Sequence, residues 1–356
     1  MSNTKTHIKN NEIGSEFILA ETNTKTFFKL DNMHLYASGR SALNTIIKDI
    51  ISDNSKHSAY FPSYCCHSML EPFIKNDVDI SFYEVFVNEN GFYCDYRETN
   101  CDIVFLIDYF GFKNINQPCF RDKIIIKDVT HSLFRKEKNF DYSYEFGSFR
   151  KWTAIDGGFA LKRKVRLNCS EQNNYSNKFV ELRKKARSLK SRYLNGENID
   201  KSEFLTLFNE AEDELDKNYA NTSFPQDEIQ LLQNLDIEFI RNKRRANASV
   251  LIEALKSFNI PQIHIINKLS QNDCPLFVTI QVEKKYRDSL KQYLVKQDIY
   301  TPIHWPLSEL HNISDKAKTI YDEELSLICD QRYSQDDMYR QAETINNFFK
   351  KSILLY

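Results

Sequence analysis

Apolar residues after position 40 follow the period of a helix. Within residues 41–51 they recur at intervals of three and four, at Leu43, Ile46, Ile47, Ile50 and Ile51. This spacing places them on one face of a helix. Ser41 is of the residue type that caps helix N-termini. The pattern therefore predicts an amphipathic helix with Ser41 as its N-cap.

Short apolar runs in the first 130 residues predict buried strands. Residues 103–107 and 124–126 are continuous apolar runs, after which Asp108 and Asp128 follow, and residues 79–85 have the pattern of a further strand. Continuous apolar runs are typical of strands that helices cover on both faces, as in parallel sheets. Because helical patterns separate these runs, we expect an α/β architecture.

The second half of the chain predicts helices and then a smaller unit. We expect one long helix over about 225–256, linking a large domain (1–235) to a small C-terminal α+β domain (236–356). Residues 275–282 alternate like a strand, and 284–297 have a helical pattern. The basic run at 183–192 is of the kind that nucleic-acid binders carry, but we interpret it as a solvated helix face.

Charge and cysteine content exclude several classes of protein. The 48 Lys and Arg residues against 49 Asp and Glu give a formal net charge of -1, which argues against a nucleic-acid partner. No apolar run approaches the ~18 residues of a membrane span, and the N-terminus lacks the apolar core of a signal peptide. We therefore expect a cytoplasmic protein. The eight cysteines form no C-x-x-C pair, so we predict reduced thiols and no metal site.

Glycine is scarce, which makes its positions informative. The chain has 8 glycines, whereas an average content of ~7% would give about 25. Five of them, at positions 39, 111, 147, 157 and 158, lie beside apolar runs. Glycine is needed where the backbone has a positive φ or approaches another group closely. We therefore search these positions for a ligand site.

Two segments that have a polar or glycine residue beside an apolar run predict parts of a ligand site. In the segment 38–41, Gly39 permits a tight turn, and the first N–H groups of the helix together with the Ser41 hydroxyl could bind a phosphate; ordinary helix capping is the alternative. In the segment 127–131, Asp128 could hold a cationic ring nitrogen and His131 a phenolic oxygen. The alternative is a surface carboxylate and a buried, hydrogen-bonded histidine.

The third region contains a candidate nucleophile. Lys151 lies among aromatic residues and follows Arg150. Burial and a neighbouring cation both favour the neutral amine, which a lysine needs to form an imine. A surface lysine is the alternative. Six and seven residues further on, the pair Gly157 and Gly158 leads into an apolar run, which predicts a close approach of the backbone.

In this order, the four segments resemble the DegT/DnrJ/StrS sugar aminotransferases, which are pyridoxal 5'-phosphate (PLP) enzymes of fold type I. The resemblance runs from about residue 36 to the C-terminus and includes Arg244, His304-Trp-Pro and Asp330-Gln-Arg-Tyr. It implies a three-layer fold with a mostly parallel sheet between helices and a small C-terminal α+β domain. It also implies a homodimer with active sites at its interface. The reaction would move an amino group from an amino acid such as glutamate to a keto-sugar nucleotide for surface polysaccharide biosynthesis.

The resemblance also implies roles for individual residues. Lys151 would bind the cofactor's aldehyde and carry the proton, Asp128 would pair with the ring nitrogen, and His131 would lie near the phenolic oxygen. One side chain of the segment 62–67 should cover the cofactor ring; we choose Tyr64, with Cys66 and His67 as alternatives by position. The residues implied to bind the phosphate are Gly39, Arg40, Ser41 and Ser148.

The chain departs from the family pattern in three places. Arg40 stands where the family has threonine, the stretch before Lys151 is shorter, and the aromatic residue of the stacking motif is not in its usual position. In the family, the residues that differ lie on the side of the cofactor that faces the substrate, so two alternatives for the function stay open. One is another PLP reaction on a different carbonyl compound, and the other is a catalytically inactive binding protein. Dehydratases of this family replace the lysine with histidine, which disfavours that reaction here.

Overall fold

The structure is a computed structural model that describes residues 12–53, 57–113, 116, 118, 120–136, 141–165, 167 and 177–353. The predicted thiols at Cys119 and Cys169 lie outside these residues. The helices are α1 (Gly39–Ile50), α2 (His67–Ile74), α3 (Lys178–Leu194), α4 (Lys201–Asn218), α5 (Ile229–Gln233), α6 (Ile237–Phe258), α7 (Lys284–Val295), α8 (Asp315–Glu323) and α9 (Gln335–Ile353). The strands are β1 (Ile13–Gly14), β2 (His34–Tyr36), β3 (Ser58–Pro62), β4 (Asp79–Asn88), β5 (Gly91–Asp95), β6 (Ile103–Ile107), β7 (Ile124–Asp128), β8 (Tyr144–Ser148), β9 (Gly158–Lys162), β10 (Ile263–Ile265), β11 (Phe277–Val282), β12 (Ile299–Tyr300) and β13 (Glu324–Ile328).

Eight strands form one mixed sheet in the order β2-β9-β8-β7-β6-β3-β4-β5. The pairs β8–β7, β7–β6, β6–β3 and β3–β4 are parallel, and the outer pairs are antiparallel. Every residue of β6 is buried, as its continuous apolar run predicts for a strand covered on both faces. The expected α/β architecture with a mostly parallel sheet is therefore confirmed.

Helix α1 begins at Gly39 with Ser38 as its N-cap, three residues earlier than the predicted N-cap Ser41. Ser38 has an extended backbone, and its side chain accepts a hydrogen bond from the N–H of Ser41. The prediction that Ser41 is the N-cap is therefore wrong, because Ser41 lies inside the first turn. The apolar face of α1, which includes Ile46 and Ile47, packs into the main hydrophobic core.

The predicted helix over 225–256 is interrupted before α6. Residues 234–236 bond to the N-terminal segment: Asn23 N–H donates to Asn234 O at 2.7 Å, and Asp236 N–H donates to Glu21 O at 2.8 Å. Asp236 also caps α6 through the N–H of Phe239. These bonds take backbone groups that a continuous helix would need. The prediction of a single helix is therefore wrong.

A second hydrophobic core lies in the C-terminal part of the chain. Strands β10, β11 and β13 form an antiparallel sheet, and residues from α6, α7 and α9 pack on it together with Ile13. The proposed domain boundary at 235 remains a prediction. No helix in the described part of the chain combines the length and the apolar character that crossing a membrane requires.

Gly158 holds the start of α1 close to the sheet. A Cβ at this position would lie 2.5 Å from Gly39 N and 2.6 Å from Gly147 O. At Gly39, by contrast, an added Cβ would meet Ser148 Cβ at 3.5 Å, which is ordinary contact. The predicted close approach at Gly158 is therefore one of backbone to backbone.

We expect Gly158→Ala to lower the free energy of unfolding by about 1–3 kcal/mol, the usual cost of overpacking. Gly39→Ala serves as the matched control and should have a smaller effect. Urea denaturation of both variants measures the difference. Equal stability of the two variants would contradict this account of Gly158.

Candidate active site

A cavity of about 330 Å³ opens where β7 and β8 end and α1 begins. Because parallel strands end at the same sheet edge, the last residues of β7 and β8, Asp128 and Ser148, are brought together. Of the eight sequence-predicted site residues, six line this cavity: Gly39, Arg40, Asp128, His131, Ser148 and Lys151. Ser41 and Tyr64 do not.

Asp128 is almost completely buried at the end of its strand. Its Oδ1 accepts a hydrogen bond from the N–H of Thr130 at 2.7 Å. Burial raises the pKa of Asp128 to about 6, although the bond from Thr130 favours the charged form. A cation in the cavity would favour the carboxylate, so Asp128 is suited to hold a positively charged ring nitrogen.

His131 is held between aromatic rings. Its imidazole stacks on Trp305 at 5.4 Å and on Phe110 at 4.9 Å between ring centroids. Burial, with the nearby His304 and Lys151, lowers the pKa of His131 well below its usual value, so the ring is neutral. Its Nδ1 is buried and has no hydrogen-bond partner within the described residues. A buried polar atom without a partner indicates a ligand contact.

Lys151 lies in the loop between β8 and β9 and is half-buried. Burial, followed by the neighbouring Arg150, lowers its pKa, while Glu16, Cys66 and Glu212 oppose this shift. The sequence predicts both causes of the lowering. Among the residues that the structure describes, Lys151 has no hydrogen bond or ion pair. The amine is therefore available for a reaction.

One hydrogen bond connects the loop of Lys151 to the loop of Asp128. The indole Nε1–H of Trp152, which is fully buried, donates to the carbonyl oxygen of Thr130 at 2.7 Å. Thr130 in turn donates its N–H to Asp128. Two bonds thus fix the carboxylate relative to the residue that follows Lys151.

The start of α1 also lines the cavity. The first N–H groups of a helix have no intrahelical partner, so Gly39 and Arg40 can offer theirs to an anion. The guanidinium of Arg40 is bound by acidic side chains, Asp216 at 2.6 Å and Glu71 at 3.4 Å. Its contribution to an anion site is therefore through the backbone. Ser148 Oγ donates to Gly157 O at 3.2 Å.

Two predicted residues are corrected by the structure. The Ser41 hydroxyl pairs with Ser38 Oγ at 2.8 Å instead of facing the cavity, and Ser38 lines the cavity in its place. Tyr64 is fully buried, its ring stacks against Phe92, and its hydroxyl donates to the carbonyl oxygen of His304. Tyr64 therefore belongs to the core and cannot cover a ligand in the cavity.

Both alternatives to Tyr64 line the cavity. Cys66 occupies the N-cap position of α2, and Ser68 Oγ donates to its sulfur at 3.1 Å. Burial would raise the pKa of Cys66, but hydrogen bonds from His67 and Ser68 lower it below its usual value. Trp305 also lines the cavity and adds the aromatic face that the sequence assigns to Tyr64. The resemblance includes the His304-Trp-Pro segment, but it does not place Trp305 at this cavity, because the tryptophan is 154 residues from Lys151 in the chain.

The basic run in α3 is partly an internal ion-pair cluster, and its interpretation as a solvated face is wrong. Arg183, Arg187 and Lys190 are buried. Arg183 Nε is 2.5 Å from Asp156 Oδ1, its Nη2 is 2.7 Å from Glu16, and its Nη1 is 3.2 Å from Glu212. The spacing i, i+4, i+7 of the buried cations on one helix face is the signal that could have revealed them.

This cluster positions the loop of Lys151. Glu212 pairs with both Arg183 and Arg150, and Asp156 lies five residues after Lys151. Burial alone would raise the pKa of Glu16, but Arg183 and Arg150 lower it to about 2. The N-terminal segment, α3 and α4 are thus bound electrostatically to the loop that carries the amine.

A second cavity, of about 460 Å³, lies on the other side of the loop and shares Arg150 and Lys151 with the first. Its walls include Glu16 from the N-terminal segment, and Lys291 and His304 from the C-terminal part of the chain. Lys151 therefore borders two cavities, one of which contains Asp128. Within the described ranges, no group of three or more His, Cys, Asp or Glu side chains could hold a metal ion.

Comparison with known proteins identifies the fold. No known family model and no curated protein matches the sequence. Solved structures do match. The sugar aminotransferase CalS13 from Micromonospora echinospora has a TM-score of 0.58 and 11% identity, covering 89% of this chain and 87% of its own. A DegT DnrJ EryC1 StrS aminotransferase from Brucella abortus has a TM-score of 0.56 and 16% identity, covering 89% and 85%.

The chain has the fold of these aminotransferases. A third match, NtdA from Bacillus subtilis, was solved with the bound cofactor PMP; it has a TM-score of 0.59 and 12% identity, covering 88% of this chain and 73% of its own. The aminotransferase fold with its α/β architecture, which the sequence resemblance implies, is therefore confirmed over most of the chain, and the small C-terminal α+β domain remains a prediction.

We expect Arg183→Ala to lower the free energy of unfolding by about 1–3 kcal/mol, because the buried Asp156 loses one of its two cationic partners and keeps only Arg187. Lys185→Ala, an exposed position on the same helix, is the control and should change it by less than about 0.5 kcal/mol. Chemical denaturation of both variants gives the comparison. A loss below 1 kcal/mol for Arg183→Ala would mean that the cluster does not hold this part of the fold.

Proposed function

We propose that this protein is a PLP-dependent aminotransferase. The observation that carries the proposal is that Lys151, whose pKa is lowered, and the buried carboxylate of Asp128 line one cavity. The fold of sugar aminotransferases, including one solved with PMP, supports the same reaction.

The residues of the cavity fit this cofactor in three respects. The free amine of Lys151 matches the aldehyde, the buried Asp128 matches a protonated ring nitrogen, and the partnerless Nδ1 of His131 matches a hydroxyl group. The N–H groups of Gly39 and Arg40, at the start of α1, match a phosphate. These groups lie around one cavity, so a single cofactor could contact all of them.

PLP supplies an aldehyde and a cationic ring that accepts electrons during transfer of an amino group. The chain's own residues would support this chemistry. Asp128 would keep the ring nitrogen protonated through a charge-assisted hydrogen bond. Lys151, in its neutral form, would hold the cofactor at its aldehyde and would move a proton at its Nζ. Trp305 excludes water from one side of the cavity.

The second cavity is the proposed route for substrates, because Lys151 borders it. The proposed donor is an amino acid such as glutamate, and the proposed acceptor is a keto-sugar nucleotide for surface polysaccharide biosynthesis. Cationic side chains outnumber acidic ones in its lining, six (Arg150, Lys151, Lys201, Arg244, Lys291 and Arg332) to two (Glu16 and Asp330), which favours anionic substrates such as these. A homodimer with active sites at its interface and a cytoplasmic location are also part of the proposal.

We expect Lys151→Ala to abolish amino transfer while leaving the fold intact, because no other lysine lines the cavity that contains Asp128. The assay incubates protein and PLP with glutamate and other amino acids, then with a panel of keto-sugar nucleotides. Lys164→Ala, an exposed position, is the control and should retain full activity. Undiminished turnover in Lys151→Ala, with the circular dichroism of a folded protein, would refute the role of this lysine.

We expect the affinity for PLP to rise with pH through about 6, because Asp128 must lose its proton to pair with a cationic ring. Asp128→Asn should remove this contribution and weaken binding at pH 7.5 by roughly 10- to 100-fold. The PLP phosphate titrates near the same pH but does so in both proteins, so the difference between them isolates Asp128. Identical pH profiles measured by fluorescence titration would contradict this pairing.

A further inference from the structure

A buried chain of hydrogen bonds ends at the second cavity. His304 Nδ1 lies 2.9 Å from Ser326 Oγ, which lies 2.5 Å from Glu324 Oε1. The other oxygen of Glu324 accepts the backbone N–H of His304 at 2.7 Å. All three side chains are at most 4% exposed, so water does not compete for these bonds.

The strand β13 explains the alignment of this chain. Glu324 and Ser326 are two residues apart, so their side chains lie on the same face of the strand. Ser326 N–H donates to Pro302 O at 3.1 Å, which places the segment of His304 beside the strand. The carboxyl, hydroxyl and imidazole groups are therefore fixed by backbone pairing.

His304 is the end of the chain that reaches the candidate active site. It lines the same cavity as Lys151, and its ring centroid lies 5.6 Å from that of His131. Burial, then the charges of Lys151 and Lys291, lower the pKa of His304 well below its usual value. The neutral imidazole carries its proton on only one nitrogen. Within the described part of the chain, its Nε2 has no hydrogen-bond partner.

The protonation of Glu324 selects between two tautomers of His304. Burial raises the pKa of Glu324 to about 8, although Ser326, the N–H of His304, Arg287 and Lys291 all favour the carboxylate. When Glu324 is protonated, it donates a hydrogen bond to Ser326 Oγ, and the Ser326 hydroxyl donates to His304 Nδ1. Because Nδ1 then accepts a hydrogen bond, the proton of the neutral imidazole is on Nε2. As a carboxylate, it accepts from Ser326, so Nδ1 donates and Nε2 becomes an acceptor.

The surroundings of this chain contain further charged and titratable groups. Lys151, Lys291, Arg287, His131 and Tyr64 are the charged and titratable groups that face it. The pKa of Tyr64 is raised well above its usual value by burial, and His131 is neutral. Between pH 6 and 9.5 Glu324 is therefore the group of the three-residue chain that titrates.

We propose that Glu324 and Ser326 are positioning residues that fix the tautomer of His304. At neutral pH, His304 then donates a hydrogen bond from its Nε2 to the carbonyl oxygen of the acceptor, which is bound in the second cavity. This inference rests on the proposed function. A donor aimed at the carbonyl oxygen stabilises the negative charge that develops there when nitrogen attacks the carbon.

The tautomer is measured directly by ¹⁵N NMR of histidine-labelled full-length protein, with His304 assigned by its absence in His304→Gln. In the wild type we expect an Nε2–H signal below about pH 8 that shifts to Nδ1–H above it. Glu324→Gln mimics the acid form and should keep Nε2–H from pH 6 to 9.5. Glu323→Gln, in the adjacent position at the end of α8, is the matched control and should behave as the wild type.

Kinetics test the link to the acceptor. We expect the rate of the acceptor half-reaction to fall above pH 8 in the wild type relative to Glu324→Gln. Ser326→Ala should lower this rate about tenfold at pH 7 and leave the half-reaction with the amino donor unchanged.

Three results separate the possible failures. A wild-type tautomer that stays constant with pH, or one that switches in Glu324→Gln as well, would overturn the tautomer control. Equal effects of Ser326→Ala on both half-reactions would overturn the contact with the acceptor. A normal tautomer switch in a protein that transfers no amino group to any acceptor would overturn the proposed function instead.

Discussion

The hydrogen bond from the Trp152 indole to the Thr130 carbonyl is the contact on which the candidate active site depends. It joins the loop that carries Lys151 to the loop that orients Asp128. Lys151 and Asp128 lie 23 positions apart in the chain. The pairing of β7 with β8 fixes only the ends of these strands and not the loops that follow them. Because the indole is fully buried, this bond is protected from water and fixes the distance between the two loops.

The amine of Lys151 and the carboxyl group of Asp128 have neighbours that act differently on their protonation. Burial favours the neutral form of both, but Lys151 also follows Arg150, whereas Asp128 accepts a hydrogen bond from a backbone N–H. The ion pairs of Arg183 with Asp156 and of Glu212 with Arg150 connect the amine's loop to α3 and α4. The stability of this cluster and the reactivity of Lys151 are therefore coupled through Arg150.

The sequence predicts those parts of the site that lie at strand ends. Asp128 follows a continuous apolar run, and Lys151 lies between scarce glycines, so local patterns locate both. Tyr64 was assigned wrongly because aromatic character does not tell which side of the sheet edge a side chain faces. Trp305 and His304 come from a distant segment, and Arg183 is buried only because Glu16 and Asp156 approach it. The spacing of the cations on α3 and the His304-Trp-Pro segment of the resemblance mark these residues in the sequence, but neither shows which side chains they meet in the fold.

The most direct test of the central claim maps the position of the cofactor in the chain. Purified protein is incubated with PLP, reduced with borohydride, digested and analysed by mass spectrometry. The account predicts one stoichiometric label on the peptide that contains Lys151. A label distributed over exposed lysines, or located at one other lysine, would contradict it.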